Sequence, residues 1–344
     1  MLASLIAAAL WAQAPSQAPT SSPAPTPAPA LPSWAEFEKD QLLTCASALE
    51  ARTRPLERKI GQQIFVLEGS SVRRVGPVPD RVVIGLLSAI KEVDDDTRAN
   101  LQTALAQFRQ RQVDVIVVNG DLALDQFDLE DVMRQLGASG LPVFVLIGNS
   151  EGRGGFNRAF VAAEKDHPNL FNLNWQRHVD LGRVDLLSLP GYHDRVFMPQ
   201  RSGCQYKTSA LEELAQLAGT LHQEGRTPVL VGHGPPRSTG PAAIDLAHEA
   251  GHVGDPLLAQ MLEDAGIHYG LFGHILEAGG RGCSNLTRGD AAKPGAVHST
   301  LHVNVGSASA TPWGMLDGRT SRGLAMVVSF EKKGARYEVL TLRR

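Results

Sequence analysis

Four strand-like apolar runs in this chain end in a glycine followed by a residue that can bind a metal ion: Gly120-Asp121, Gly148-Asn149, Gly232-His233 and Gly273-His274. Each pair closes an apolar run: VDVIVV before Asn119, VFVLI before Gly148, VLV before Gly232 and HYGLF before Gly273. Glycine at such a point permits a sharp turn that aims the next side chain into a cleft. Taken singly, the residues have ordinary uses. Asp121 suits a helix N-cap, Asn149 suits a turn, and a lone histidine is often structural. Together, a carboxylate, an amide oxygen and two imidazoles at successive strand ends converge on one point. That donor set suits a divalent Mn, Fe or Zn ion. His193-Asp194 follows another apolar run and Pro190-Gly191, so His193 is a candidate catalytic group facing the same cleft.

The elements that must position these residues alternate along the chain. Strand-like runs at Val82–Leu87, Val113–Val118, Val143–Ile147, Val184–Leu189, Val229–Val231 and Ile267–Phe272 are separated by helical patterns. The helical patterns fall at Asp95–Arg111, Leu129–Leu136, Ser209–His222 and Pro256–Ala265. The end reads as all-β, over Leu301–Val305, Leu324–Phe330 and Arg336–Thr341. The pattern predicts an α/β fold in which a second sheet packs on the first, a four-layer α/β/β/α sandwich. Ligands in such folds bind beyond the carboxyl ends of the strands, where these glycine turns lie.

The order of these motifs resembles the calcineurin-like metallophosphoesterase superfamily, whose motifs run D-x-H, G-D-x-x-D, G-N-H-[DE], H and G-H-x-H. The resemblance spans roughly Asp80 to Thr341 and includes Asn304-Val305-Gly306-Ser307 as the strand and turn after the site. It implies that Asp121, Asn149, His233 and His274 hold one metal of a dinuclear pair. The second metal's positions are Ser88, Ile90 and Leu276 here, and the motif histidine that serves as proton donor is Ser150. The second aspartate of G-D-x-x-D is displaced to Asp125. By this likeness one metal site is intact and its partner is erased. Losing one Lewis acid and one general acid would slow two-metal phosphoester hydrolysis by roughly five decades. Asp94–Asp96 reads as a capping run before the helix at Thr97, with replacement ligation as its other reading.

The expected function is therefore that of a metallophosphoesterase-fold protein binding one divalent metal per chain, with phosphoester hydrolysis weak or specialised. The alternative is a non-catalytic pseudoenzyme serving as an envelope ligand-binding or scaffold module. The expected partner is a small phosphorylated ligand or an envelope protein. The loops Phe197–Gln205 and Glu277–Ser299 would form the substrate pocket.

Composition narrows the classes. The chain has 344 residues, 43% apolar and 20% charged, which excludes a collagen-like repeat or a wholly disordered chain. A formal net charge of -3 gives no basic field for nucleic acid. Residues 1–14 read as a signal peptide, with the apolar run LASLIAAALW followed by Ala12-Gln13-Ala14. Residues 15–33 read as a Pro/Ala-rich tether, residues 34–79 as an N-terminal helix with short strands, and residues 80–344 as the phosphoesterase domain. The apolar spacing between Trp34 and Arg54 is helical. An exported, periplasmic or envelope location is expected, with no transmembrane helix in the mature chain. Three cysteines, Cys45, Cys204 and Cys283, allow three pairings, of which Cys204–Cys283 is one.

Overall fold

The computed structural model describes residues 30–343. Residues 1–14, expected to be a signal peptide, and nearly all of the tether expected at residues 15–33 lie outside them. Among the described residues, twenty strands and six α-helices follow in chain order, with α1 (Trp34–Gln41) first. Then come β1 (Leu56–Ile60), β2 (Gln63–Glu68), β3 (Ser71–Val75), β4 (Arg81–Leu87), α2 (Asp95–Gln110), β5 (Val115–Asn119), α3 (Gln126–Gly137) and β6 (Val143–Leu146). Next are α4 (Arg153–Glu164), β7 (Leu170–Asn172), β8 (His178–Asp180), β9 (Asp185–Leu189), α5 (Thr208–Gln223) and β10 (Pro228–Gly232). A small ribbon, β11 (Leu246–Ala247) and β12 (Gly251–His252), precedes α6 (Pro256–Asp264) and β13 (Tyr269–Phe272). The chain closes with β14 (Arg281–Asn285), β15 (Asp290–Ala291), β16 (Leu301–Asn304), β17 (Trp313–Gly314), β18 (Thr320–Ser321), β19 (Leu324–Glu331) and β20 (Gly334–Thr341).

Two sheets carry the fold. The six-stranded sheet runs β20-β19-β4-β5-β6-β7, parallel from β4 to β7. The ten-stranded sheet runs β1-β2-β3-β8-β9-β10-β13-β16-β14-β15, with a parallel centre from β9 to β16. Residues 34–79 do contain one helix and short strands, and those strands form the edge of the larger sheet.

Alternation along each strand sorts its side chains between cores. On β4, Val82, Ile84 and Leu86 face a core shared with Val229, Val231, Leu271 and Val303 of the other sheet. Val83 and Leu87 face the opposite way, onto Leu101 and Phe108 of α2 and Leu129 and Met133 of α3. On the far side, Leu187, Leu189 and Leu230 pack against Leu211 and Leu214 of α5 and Leu258 and Leu262 of α6. Helices thus cover the outer face of each sheet. Among the described residues, no helix is long and apolar enough to cross a membrane.

Two expectations need correction, and one helix was not expected at all. The helical spacing from Trp34 to Arg54 yields a helix only to Gln41. There the Asn157 amide donates to the carbonyls of Gln41, Leu42 and Thr44, consuming acceptors that a longer helix would need. The cysteine pair is Cys45–Cys204, whereas Cys283 is buried and free, so the Cys204–Cys283 pairing does not form. Finally, α4 was not legible: its first turn holds Gly154 and Gly155 and its N-cap is Gly152, with no capping side chain.

Candidate metal centre

The loop after β5 carries the first ligand-type residue. Gly120 takes φ +83°, and Asp121 itself lies in the left-handed region at +56°. His274, after β13, is likewise left-handed at +68°. Such backbone costs a non-glycine residue roughly 1–2 kcal/mol and persists only where surrounding contacts hold it. Those contacts are on hand. Asn119 donates to the carbonyls of Gly232 and Leu271 at 3.0 and 2.8 Å, tying the end of β5 to β10 and β13 in the opposite sheet. Glu151, fully buried, accepts from the backbone N–H groups of Leu122 and Gly148 and so locks the loops after β5 and β6 together.

Asp121, Asn149, His233 and His274 meet at one point. His233 Nε2 lies 2.8 Å from Asn149 Oδ1, 3.1 Å from His274 Nδ1 and 3.3 Å from Asp121 Oδ1. The proton positions follow from the neighbours. His233 Nδ1 is 2.6 Å from the Asn119 carbonyl, which can only accept, so Nδ1 carries the hydrogen and Nε2 is a bare lone pair. The Asn149 amide nitrogen donates to the Phe197 carbonyl, so its oxygen is the atom turned to His233. Asp121, Asn149 and His233 thus turn acceptor atoms to one point, and no neighbour fixes which ring nitrogen of His274 carries its proton. Acceptors at such separations repel unless a cation, or a proton such as one on His274 Nδ1, lies between them. Tetrahedral donors about 2.1 Å from a zinc ion sit roughly 3.4 Å apart, close to the spacing here. The residues present thus fit a divalent metal.

Electrostatics agree. Burial alone would raise the Asp121 carboxyl, but a proton taken up by His233 or His274, Lys91 and the Ser150 N–H hold it below the ordinary carboxylate value. Burial and then the neighbouring His233 push His274 down to about 3, so its ring is neutral and free to ligate. Burial and the charge of Asp121 push Glu151 up to about 8.

The remaining sequence candidates are placed as follows. His193 is not one of the clustered groups. Its ring packs 4.4 Å from the Tyr192 ring, which packs 4.3 Å from His274. Asp94 caps α2 through the Thr97 N–H, Asp95 pairs with Arg98 and Asp96 with Arg343. The acidic run thus caps α2 and pairs at the surface, and it is not among the residues gathered with Asp121, His233 and His274. Asp125 is the N-cap of α3. Ser88 donates to the carbonyls of Asn119 and Gly120, while Ile90 and Leu276 are buried apolar residues. Ser150 offers the cluster only its backbone N–H. Sequence reasoning placed Glu151 at the last position of G-N-H-[DE] without giving it a role, and missed Lys91. The clue to Lys91 was a lone cation three residues beyond Ser88, in the stretch where motif ligands are lost.

The sequence profile of calcineurin-like phosphoesterases matches residues 94–278, more than half of the chain. The chain belongs to the calcineurin-like phosphoesterase family. The family binds divalent metals, and the Asp121, His233 and His274 cluster is this member's candidate site. No curated protein matches by sequence. Among solved structures, TT1561 of Thermus thermophilus superposes with a TM-score of 0.52 at 14% identity, covering 76% of this chain and 99% of that one. A dimetal phosphatase from Danio rerio gives 0.46 at 12% identity, covering 78% and 100%. These likenesses concern the fold alone.

Proposed function

We propose that this member holds one divalent metal through Asp121, Asn149, His233 and His274 and binds a small phosphorylated ligand, with hydrolysis weak or specialised. The observation that carries the reading is the gathering of Asp121, Asn149 and His274 ligand atoms within 3.3 Å of the bare His233 Nε2. When bound, the metal supplies a Lewis acid for a phosphoryl oxygen. The protein's own part is orientation. Asn119 fixes the His233 tautomer, Phe197 fixes the Asn149 amide, and the Ser150 N–H holds one oxygen of Asp121. Ser150 brings no titratable group to where a leaving oxygen would need a proton, and Ile90 and Leu276 bring no second set of donors. That leaves His193 as the remaining candidate proton donor. The same substitutions favour a second reading, a pseudoenzyme that keeps the metal to bind ligand without turnover.

The Cys45–Cys204 bond supports an exported or envelope location, since structural disulfides persist in oxidising compartments. The deciding experiment is metal content per chain after reconstitution with Mn, Fe or Zn, beside an Asp121→Ala control. One metal in the wild type, lost in the variant, is the expected result; a metal-free wild type would overturn the proposal. Turnover of a phosphodiester, abolished in Asp121→Ala, would then separate the hydrolase from the pseudoenzyme.

A further inference from the structure

The loop after β4 no longer carries metal ligands, yet it is held as firmly as if it did. Ala89 and Lys91 are both left-handed, at φ +47° and +62°. The Ala89 N–H donates to the Gly120 carbonyl at 3.0 Å and the Lys91 N–H to the Asp121 carbonyl at 3.1 Å. From the other side, Ala308 and Ser309 donate to the carbonyls of Ser88 and Ala89, at 2.9 and 3.2 Å, and the Ser307 hydroxyl reaches the Ala89 carbonyl at 2.8 Å. Glu92 is pinned by the Ser309 hydroxyl. These bonds place one cation beside the cluster. Lys91 Nζ lies 3.9 Å from Asp121 Oδ2, the carboxylate oxygen on the side away from His233, and the lysine side chain is 36% exposed.

Lys91 also opens onto a cleft. A hollow of about 210 Å³ runs from Lys91 and His274 along Tyr192, Leu276, Val253 and Trp313. Its walls are mainly aliphatic and aromatic, and Glu277 is the other charged residue on them. An apolar cavity of roughly 150 Å³ accepts benzene, so this hollow suits one ring or a short chain.

We propose that Lys91 is the second cation of this centre, standing where Ser88, Ile90 and Leu276 no longer bind a metal, and that it grips the phosphoryl oxygens of a phosphate ester whose small apolar substituent fills the adjoining cleft. The inference rests on the one-metal reading above. An ammonium is a compact charge with three donors, able to take a phosphate oxygen while neutralising the free oxygen of Asp121. It differs from a metal in one respect: it anchors and neutralises but does not lower the pKa of a bound water. A centre with one metal and one lysine therefore favours holding a phosphoryl group over cleaving it.

The test uses the full chain in metal-loaded form. Metal per chain is counted first, and then binding of inorganic phosphate and of phenyl phosphate is measured by titration calorimetry. Wild type, Lys91→Met and Lys91→Arg are compared, with thermal melts to show that each variant is folded. The expected wild type holds one metal and binds phenyl phosphate about tenfold more tightly than phosphate. Lys91→Met keeps its metal but loses roughly 10- to 100-fold in affinity for both ligands, the scale of a charge-assisted hydrogen bond, and Lys91→Arg recovers part of the loss. Unchanged phosphate affinity in Lys91→Met, or two metals in the wild type, would overturn the role of Lys91. Equal affinity for the two ligands would overturn the apolar cleft. Absence of metal from the wild type would remove the one-metal reading and this inference together, and the count shows that before any ligand is added.

Discussion

At the scale of single residues, the site depends on backbone that only certain side chains tolerate. Gly120 is the sharpest case. A Cβ there would stand 2.6 Å from the Gly148 Cα and 2.7 Å from His233 Nδ1, on a backbone with φ +83°. Gly120→Ala should therefore cost about 2–5 kcal/mol and push His233 off the Asn119 carbonyl. Denaturant unfolding of the variant, with its metal content alongside, checks this; an unchanged midpoint would mean that the loops yield more freely than their bonding suggests. The four ligand-type residues were legible because glycine-plus-ligand pairs recur after apolar runs, and residue type alone names their chemistry. Lys91 was not, and Glu151 was legible as a motif position but not in its role. Lysine and glutamate are common surface residues, and their roles arise only when loops distant in sequence come together, as in the Glu151 bonds to Leu122 and Gly148.

At the scale of elements, α1 shows what periodicity can and cannot say. Its start was readable: Ser33 and Glu36 form a capping box and Phe37 is buried. Its end was not, because the Asn157 amide that takes its last carbonyls lies more than a hundred residues away in sequence. The helix docks through a carboxyl pair. Burial, then the hydrogen bond and charge of Glu164, push Glu38 up to about 8, against the opposing pull of Trp34 and Arg58. Glu164 is itself paired with Arg58. A carboxyl raised in the fold stabilises the protein fully below its ordinary value of 4.5. That contribution is lost as pH rises through about 8. Glu38→Gln keeps a permanent donor toward Glu164, so its melting temperature should fall less than that of the wild type between pH 5 and about 9. Parallel curves for the two proteins would show that no proton is shared there.

At the scale of the whole molecule, two sheets and their helix layers were foreseeable because strand runs alternate with amphipathic helices up to Phe272 and turn all-β afterwards. Which edge strands complete the larger sheet was not foreseeable, since β1 to β3 join it through β8, a three-residue strand with no pattern of its own. The same holds for the covalent link. Cys45 and Cys204 are 159 residues apart in sequence, and only the fold brings the arm after α1 against the loop after β9. That loop carries the Phe197 carbonyl that orients Asn149, so the bond braces the site as well as the chain. Closing a loop of this length removes enough unfolded-state entropy to contribute about 3–5 kcal/mol, with the strain-free entropic limit near the top of that range. For a chain this size the loss corresponds to roughly 5–8 °C in melting temperature. Reductant, or the double substitution Cys45→Ser and Cys204→Ser, should therefore lower the unfolding midpoint and weaken metal retention together. Cys283→Ser should leave the response to reductant as it is, because that thiol is buried and unpaired. An unfolding midpoint indifferent to reductant would mean that the arm is held by the Ser47 and Asn157 hydrogen bonds alone, and the bond would then have no part in organising the centre.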